Sequence, residues 1–393
     1  MTGSARGFSL IESIVAMGIM LTVTAGIFGM VHPGRRTTAA ELEVADLQQR
    51  LRVAADALSR DLLLAGAGSY LGPHDGALGL YLPPVMPSRQ GATGDDPPGA
   101  FTNDRITLLY VPATAAETSL LADLTPESQT LQLAPKAGCP GGANLCGFAR
   151  NVSALVYDEH GNYDLFPVAT VDDGLSQITV SKPPDALSTT YAAGAKVVEV
   201  ISRTYALRTD PATGSLQLTT YDGTYNAEVP VVDHVVRLSF DYFGEPLPPA
   251  ISRPLSDESG PWTTYGPKPP DTTVKPTAYP AGENCAFARD ADGEPVPRLA
   301  TLAAGPGLVK LTAAQLSDGP WCPDAANANR WDADLLRIRK VAVTLRVEAA
   351  APMLRGPAGP LFVNGGSARG GLAWVPDQEV RFEIAPRNLN LGR

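Results

Sequence analysis

The chain opens with a run that is apolar on every side of a helix, from Phe8 to Val31, FSLIESIVAMGIMLTVTAGIFGMV. At 1.5 Å per residue the run rises about 36 Å, enough to cross a bilayer. Its one charged side chain is Glu12. Its other polar groups are the hydroxyls of Ser9, Ser13, Thr22 and Thr24, which can bond back to helix carbonyls. Ahead of it, Met1 to Gly7 is short and polar, with Arg6 as its cation. Pro33-Gly34 follows the run and predicts a bend or loosening there, and Arg35 and Arg36 mark its boundary. From Thr37 the pattern becomes one-sided: Val44, Leu47, Leu51, Ala54, Leu58 and Leu62 recur at three- and four-residue steps, with Glu41, Glu43, Arg50 and Arg52 opposite. Gly66 and Gly68 provide the stop.

Beyond Gly68 the period falls to two. Strands are predicted at Arg105–Val111, Gln177–Val180, Lys196–Leu207, Leu216–Tyr221 and Val235–Phe243. In the last, Val236, Leu238, Phe240 and Tyr242 share one face, against Arg237, Ser239 and Asp241. Ala154–Tyr157 and Leu165–Val171 flank a turn at Gly161-Asn162 and read as a hairpin. Val341, Val343, Leu345 and Val347, and later Val380, Phe382 and Ile384, alternate with polar or small residues and read as an antiparallel pair joined through Ala350 to Pro376. One long helix followed by many strands is the α+β order. Residues 244–330 are Pro-rich and irregular, too long for an ordinary sheet connection, and read as an elaborated insertion.

Composition changes this picture little. Of 393 residues, 44% are hydrophobic and 18% charged, which indicates a globular chain. The 38 glycines and 36 prolines favour turns and irregular connections over a helical bundle. A net charge of −10 argues against a protein that tracks nucleic-acid phosphates. Four cysteines allow three pairings, of which Cys139/Cys146 and Cys285/Cys322 are the simplest. Two disulfides would require an oxidising compartment; the alternative is four free thiols in the cytosol. His32, His74, His160 and His234 lack metal-ligand spacing. Asp290-Ala291-Asp292-Gly293-Glu294 matches part of a calcium loop but reads more simply as an Asp-Gly turn. Asp332 and Asp334 read as the start of a short helix. No nucleophile elbow, Walker loop or dinucleotide fingerprint stands in a strand-to-helix context, so no catalytic residue, cofactor or metal is expected.

Three readings of the N-terminus compete. A secretory signal peptide would cleave near Val23-Thr24-Ala25, and a plain anchor would simply stay in the bilayer. Both leave Glu12 unexplained, because an acid in hydrocarbon costs a few kcal/mol and usually marks a partner or a function. The third reading accounts for it. Arg6 to Ser13, RGFSLIES, resembles the prepilin peptidase site of type IV pilins and type II secretion pseudopilins: a leader ending in Gly7, then Phe8, then Glu12 four residues on, then the apolar run.

That resemblance implies a leader at 1–7, a transmembrane helix at 8–31, an amphipathic stalk helix at 32–68 and a β-rich head at 69–393, in a type IV pilin fold. It implies cleavage between Gly7 and Phe8, N-methylation of Phe8, and pairing of Glu12 with the free amine of an adjacent subunit. The implied partners are prepilin peptidase, other pilins and inner-membrane lipid, and Arg6 agrees with a cytoplasmic N-terminus and a periplasmic head. QQRLRVAADALSRDLLLAG, KVVEVISRTYAL with VVDHVVRLSFDYFG, and WDADLLRIRKVAVTLRVEA with VRFEIAPRNLNL resemble PilW-like minor pilins, with J-type minor pseudopilins as near relatives. The resemblance therefore implies a structural subunit that primes or caps a pilus. The alternatives are a pseudopilus subunit, or a tip adhesin or DNA-capture subunit whose insertion meets a surface ligand.

Overall fold

The structure is a computed structural model that describes residues 9–68, 78, 82–91, 96–112, 116–158, 162–181, 187–224, 228–248, 285, 287–292, 295–323, 325–355 and 375–390. The chain divides into two compact units, Met1–Leu51 with Val347–Gln378, and Arg52–Arg346 with Glu379–Arg393.

A single helix, α1, runs from Leu10 to Leu64. The helix continues through Pro33-Gly34, where the sequence predicts a bend or loosening. A proline lacks one N–H and crowds the preceding turn, but neighbouring turns on either side hold the backbone in register. At the far end Gly66 takes φ +77, and its N–H donates to the Leu109 carbonyl at 3.0 Å. The left-handed residue turns the chain off the helix and onto a strand, as the glycine pattern predicts.

In the unit that follows Arg52 the strands form three sheets and two small hairpins. The five-stranded sheet has the order Val85–Met86, Ile106–Tyr110, Ile201–Thr209, Leu216–Tyr221, Val229–Asp233, each pair antiparallel. The six-stranded sheet has the order Glu117–Ser119, Lys196–Glu199, Ser153–Tyr157, Tyr163–Asp172, Gln177–Val180, Thr130–Gln132, again antiparallel throughout. The third sheet orders Val309–Leu311, Val235–Gly244, Ile338–Val347 and Gln378–Ile384. The two C-terminal strands are thus neighbours, as their alternation predicts.

One predicted strand, Lys196–Leu207, is two. Its first part pairs with Ser153–Tyr157 in the six-stranded sheet; its second pairs with Ile106–Tyr110 in the five-stranded one. Val200 marks the hand-over, its N–H donating to Ser153 O at 2.9 Å. Apolar residues run together at Val197-Val198 and Val200-Ile201, and the change of partner sets the join. One face of the six-stranded sheet carries Ala154, Val156, Phe166, Val168, Ile178 and Val197 into a core with Tyr191 and Leu133. The other face meets loops that follow strands of the five-stranded sheet: Tyr163 Oη donates to Gln90 Oε1 at 3.1 Å, and Leu165 lies over Gly223.

The irregular insertion is partly regular. Val309–Leu311 adds an antiparallel strand to Val235–Gly244, with Leu311 opposite Tyr242. Phe287–Arg289 and Pro295–Pro297 make a small hairpin. At its turn Asp292 N donates to Asp290 Oδ1 at 3.0 Å, the geometry of an Asx turn; Gly293 and Glu294 lie outside the described residues. Asp332 caps a short helix at Ala333–Arg337 by accepting from Asp334 N, as expected of that pair.

Gly91 shows how tightly this head is closed. Its φ is +140, and a Cβ there would lie 2.5 Å from the Gly223 Cα and 2.6 Å from the Tyr221 ring. Backbone cannot retreat as a flexible side chain would. Gly91→Ala therefore combines a disfavoured conformation with a clash, and should destabilise the head by about 2–4 kcal/mol. A fall in the denaturant midpoint at unchanged slope checks this.

Candidate functional site

The site is the long helix: its exposed apolar part, the acid within that part, and the place where its last turns are fastened to the head. Leu10–Gly29 is long and apolar enough to cross a membrane by length and composition. Its large side chains, Leu10, Ile11, Ile14, Met17, Met20 and Leu21 among them, are 55–82% exposed. Apolar surface open on every side of a helix has no counterpart in a water-facing protein. The hydroxyls in this stretch are satisfied within the helix. Thr22 Oγ1 donates to Ile19 O at 2.8 Å and Thr24 Oγ1 to Met20 O at 2.6 Å. That removes the cost of an unpaired hydroxyl in hydrocarbon.

Glu12 is placed at the start of α1 by a capping box. Ser9 N donates to Glu12 Oε2 at 2.9 Å, and Glu12 N donates to Ser9 Oγ at 3.3 Å. Two helix-end donors are thereby satisfied reciprocally, and the carboxylate stands at the positive end of the helix dipole. The sequence pattern Ser9-x-x-Glu12 carries this signal. Gly7 and Phe8 lie outside the described residues.

The other end of α1 is fastened by a polar group. Ala54, Leu58 and Leu62 are fully buried, as their spacing predicts, and so is Asp61, 7% exposed, on the same side. Tyr205 Oη donates to Asp61 Oδ2 at 2.7 Å and to Ala57 O at 3.3 Å; Tyr110 Oη donates to Asp61 Oδ1 at 3.0 Å. Ile106–Tyr110 and Ile201–Thr209 are adjacent strands, with Ile106 opposite Tyr205, so two hydroxyls from neighbouring strands converge on one carboxylate of the helix. Burial, reinforced by the Asp61 charge, pushes the Tyr110 hydroxyl up to about 12 and Tyr205 further still, so both remain donors at any physiological pH. Asp61 was not legible in advance. An acid among leucines at helical spacing is a weak hint, and its partners are far away in sequence.

Both expected disulfides form, Cys139–Cys146 and Cys285–Cys322. The loop closed by the first is docked on the turn after Tyr163–Asp172: Asp173 accepts from Asn144 N at 2.9 Å and Leu145 N at 2.8 Å, and Asn144 Nδ2 donates back to Asp173 O at 2.9 Å. Among the described residues there is no group of three or more metal-ligating side chains.

Charge-assisted hydrogen bonds of this kind contribute about 1.5–3 kcal/mol each. Asp61→Ala strands two buried hydroxyls and should cost about 2–4 kcal/mol; Tyr205→Phe removes one donor and should cost less, about 1–2 kcal/mol. Chemical unfolding of the full chain in detergent micelles ranks the two.

No family model and no solved structure matches the chain. The chain is similar to the "Pilin-like protein PilA3" of Thermus thermophilus, with 36% identity over 110 residues. The match covers 27% of this chain and 42% of the relative's length. This similarity, the exposed apolar N-terminal helix and the antiparallel head together support a pilin-like protein.

Proposed function

We propose that the chain is a structural subunit of a type IV pilus, a minor pilin that primes or caps filament assembly from the inner membrane. The observation that carries this reading is the exposed apolar helix Leu10–Gly29 with one acid at its head, continuous with turns fastened to a β-rich domain. A helix of that kind has two successive environments, lipid before assembly and other apolar helices after it. In both, van der Waals packing costs the apolar side chains nothing, and the charge must be paired.

Processing between Gly7 and Phe8 by prepilin peptidase would free a new amine at the helix start, and N-methylation would follow. Glu12 is then the register device. In the isolated chain its carboxylate is held by the Ser9 N–H, a neutral donor. In a filament the amine of an adjacent subunit offers it a full opposite charge. A charge pair in low dielectric is strong when aligned and costly when misaligned, so it selects one axial stagger. The topology that follows places the N-terminus in the cytoplasm and the head, with its two disulfides, in the oxidising periplasm. The role is one of assembly rather than catalysis.

Gly7→Ala should leave precursor of unprocessed mass in the membrane. Glu12→Ala should be processed normally yet reduce the chain's share in sheared filaments at least about tenfold, the equivalent of about 1.4 kcal/mol in the incorporation equilibrium. Mass spectrometry of the mature N-terminus and immunoblots of membrane and filament fractions read both. A mature chain that begins at Met1 or Gly26 sinks the proposal. Loss of exoprotein secretion with normal piliation, on deletion of the gene, would move the chain to a type II secretion pseudopilus.

A further inference from the structure

The two end strands of the six-stranded sheet, Glu117–Ser119 and Thr130–Gln132, meet each other. Leu121 N donates to Gln132 O at 2.8 Å, Ala134 N donates to Ser119 O at 2.9 Å, and Leu120 bridges Leu133. The ladder therefore returns on itself, and residues 116–199 make a closed barrel. Its interior is supplied from within. Among the described residues, the apolar cluster that includes Leu131, Phe166, Ile178 and Tyr191 draws every member from between Ala116 and Val197. Leu145 and Phe148 join that cluster from the loop closed by the Cys139–Cys146 disulfide and the residues just after it. Between them Gly147, at φ +81, lets the segment lie against Ala116, whose N a Cβ would approach to 2.8 Å.

The barrel occupies the place of a hairpin loop. Ile106–Tyr110 and Ile201–Thr209 are antiparallel neighbours in the five-stranded sheet, with Tyr110 opposite Ile201. The chain leaves that sheet at Tyr110 and re-enters it directly across the ladder, with the whole barrel in between. A two-residue turn could close the same pair. Entry and exit at neighbouring points let a folded unit be inserted in a host without disturbing it. No strand of the barrel pairs with a strand of another sheet. At the join itself, Val200 N donates to Ser153 O at 2.9 Å. The rest of the seam is side-chain packing: Leu165 over Gly223, Tyr163 on Gln90, and Asn329 Nδ2 donating to Asp164 Oδ1 at 2.8 Å. Leu155 and Val198, which stand outside the barrel's core cluster, are fully buried too, so the barrel is seated on its host. Opening the seam separates packed surfaces and leaves both ladders whole.

We propose that residues 116–199 are a grafted domain, a barrel that opens independently of the sheet carrying it and that the subunit displays rather than uses to enter a filament. A closed ladder and a core of its own make its opening a separate cooperative event. The parts assigned to assembly, the apolar helix, Glu12 and the Asp61 clasp, lie outside it. Display rests on the pilin reading; independence does not.

Native-state hydrogen exchange of the full chain in detergent micelles tests independence. Ile178 in the barrel core and Asp61 in the clasp offer one perturbation on each side. Ile178→Ala should lower protection of Ser153–Tyr157 and Tyr163–Asp172 at least about tenfold and leave Ile201–Thr209 and Leu216–Tyr221 unchanged, with the boundary at Val200. Asp61→Ala should lower protection of Ile201–Thr209 and leave the two barrel strands unchanged. A loss that spreads alike through both sets, in either variant, overturns the proposal, and a variant that does not fold at all is such a loss. Display is read as the ratio of filament to membrane chain, which should match wild type for Ile178→Ala. A lower ratio overturns display while the exchange result still decides independence. Absence of the wild-type chain from filaments removes the pilin reading and display together, and again leaves independence to the exchange result.

Discussion

Asp61 sits where the pattern of the helix calls for an apolar side chain, and the seating of α1's last turns on the head depends on what it does there. A buried carboxylate without partners would cost several kcal/mol and expel the helix from the sheet. With Tyr205 and Tyr110 donating to its two oxygens, at 2.7 and 3.0 Å, the same group becomes directional. Leucines at 58 and 62 would accept many rotations and slides of the helix; two phenols on adjacent strands accept one. The clasp therefore sets which way the last turns of α1 meet the sheet.

The two ends of α1 solve the same problem in different solvents. At the start, Glu12 is capped by Ser9 on its own chain, a local answer that any helix in lipid can use. At the end, Asp61 is answered by residues 49 and 144 positions away, which is available only after the sheet has formed. The first arrangement is exchangeable because nothing else is packed around it; the second is buried and held.

The acids of the head follow a third pattern. Asp164 and Asp332 accept several short hydrogen bonds, yet all from neutral groups, and burial outweighs the donors. Asp173 accepts comparable bonds from Asn144 and Leu145 at a turn, where the chemistry is that of a docked loop. Identical side chains thus differ in how readily they hold a charge, according to how much water and how many charges surround them.

Much of the architecture was legible in order. The apolar run, the one-sided turns from Val44 to Leu62, the glycine stop at Gly66 and most of the longer strands are local patterns, and local patterns are what periodicity and propensity report. The cysteine pairing was legible as the simplest of three, and the α+β order followed from one helix preceding many strands. The extra charge of Glu12 within an apolar run pointed to a processed, assembling helix through resemblance. Tertiary structure decided the rest. The two- and three-residue strands such as Val85–Met86 and Trp321–Cys322 exist because a neighbour completes their ladder, not because their sequences demand it. The break of Lys196–Leu207 at Val200 came from a change of partner, which the residues of the segment do not announce. Helix α1 remains continuous through Pro33-Gly34. The partners of Asp61 and Asp164 are donors brought in from distant parts of the chain, and no reading of the residues beside them could supply those.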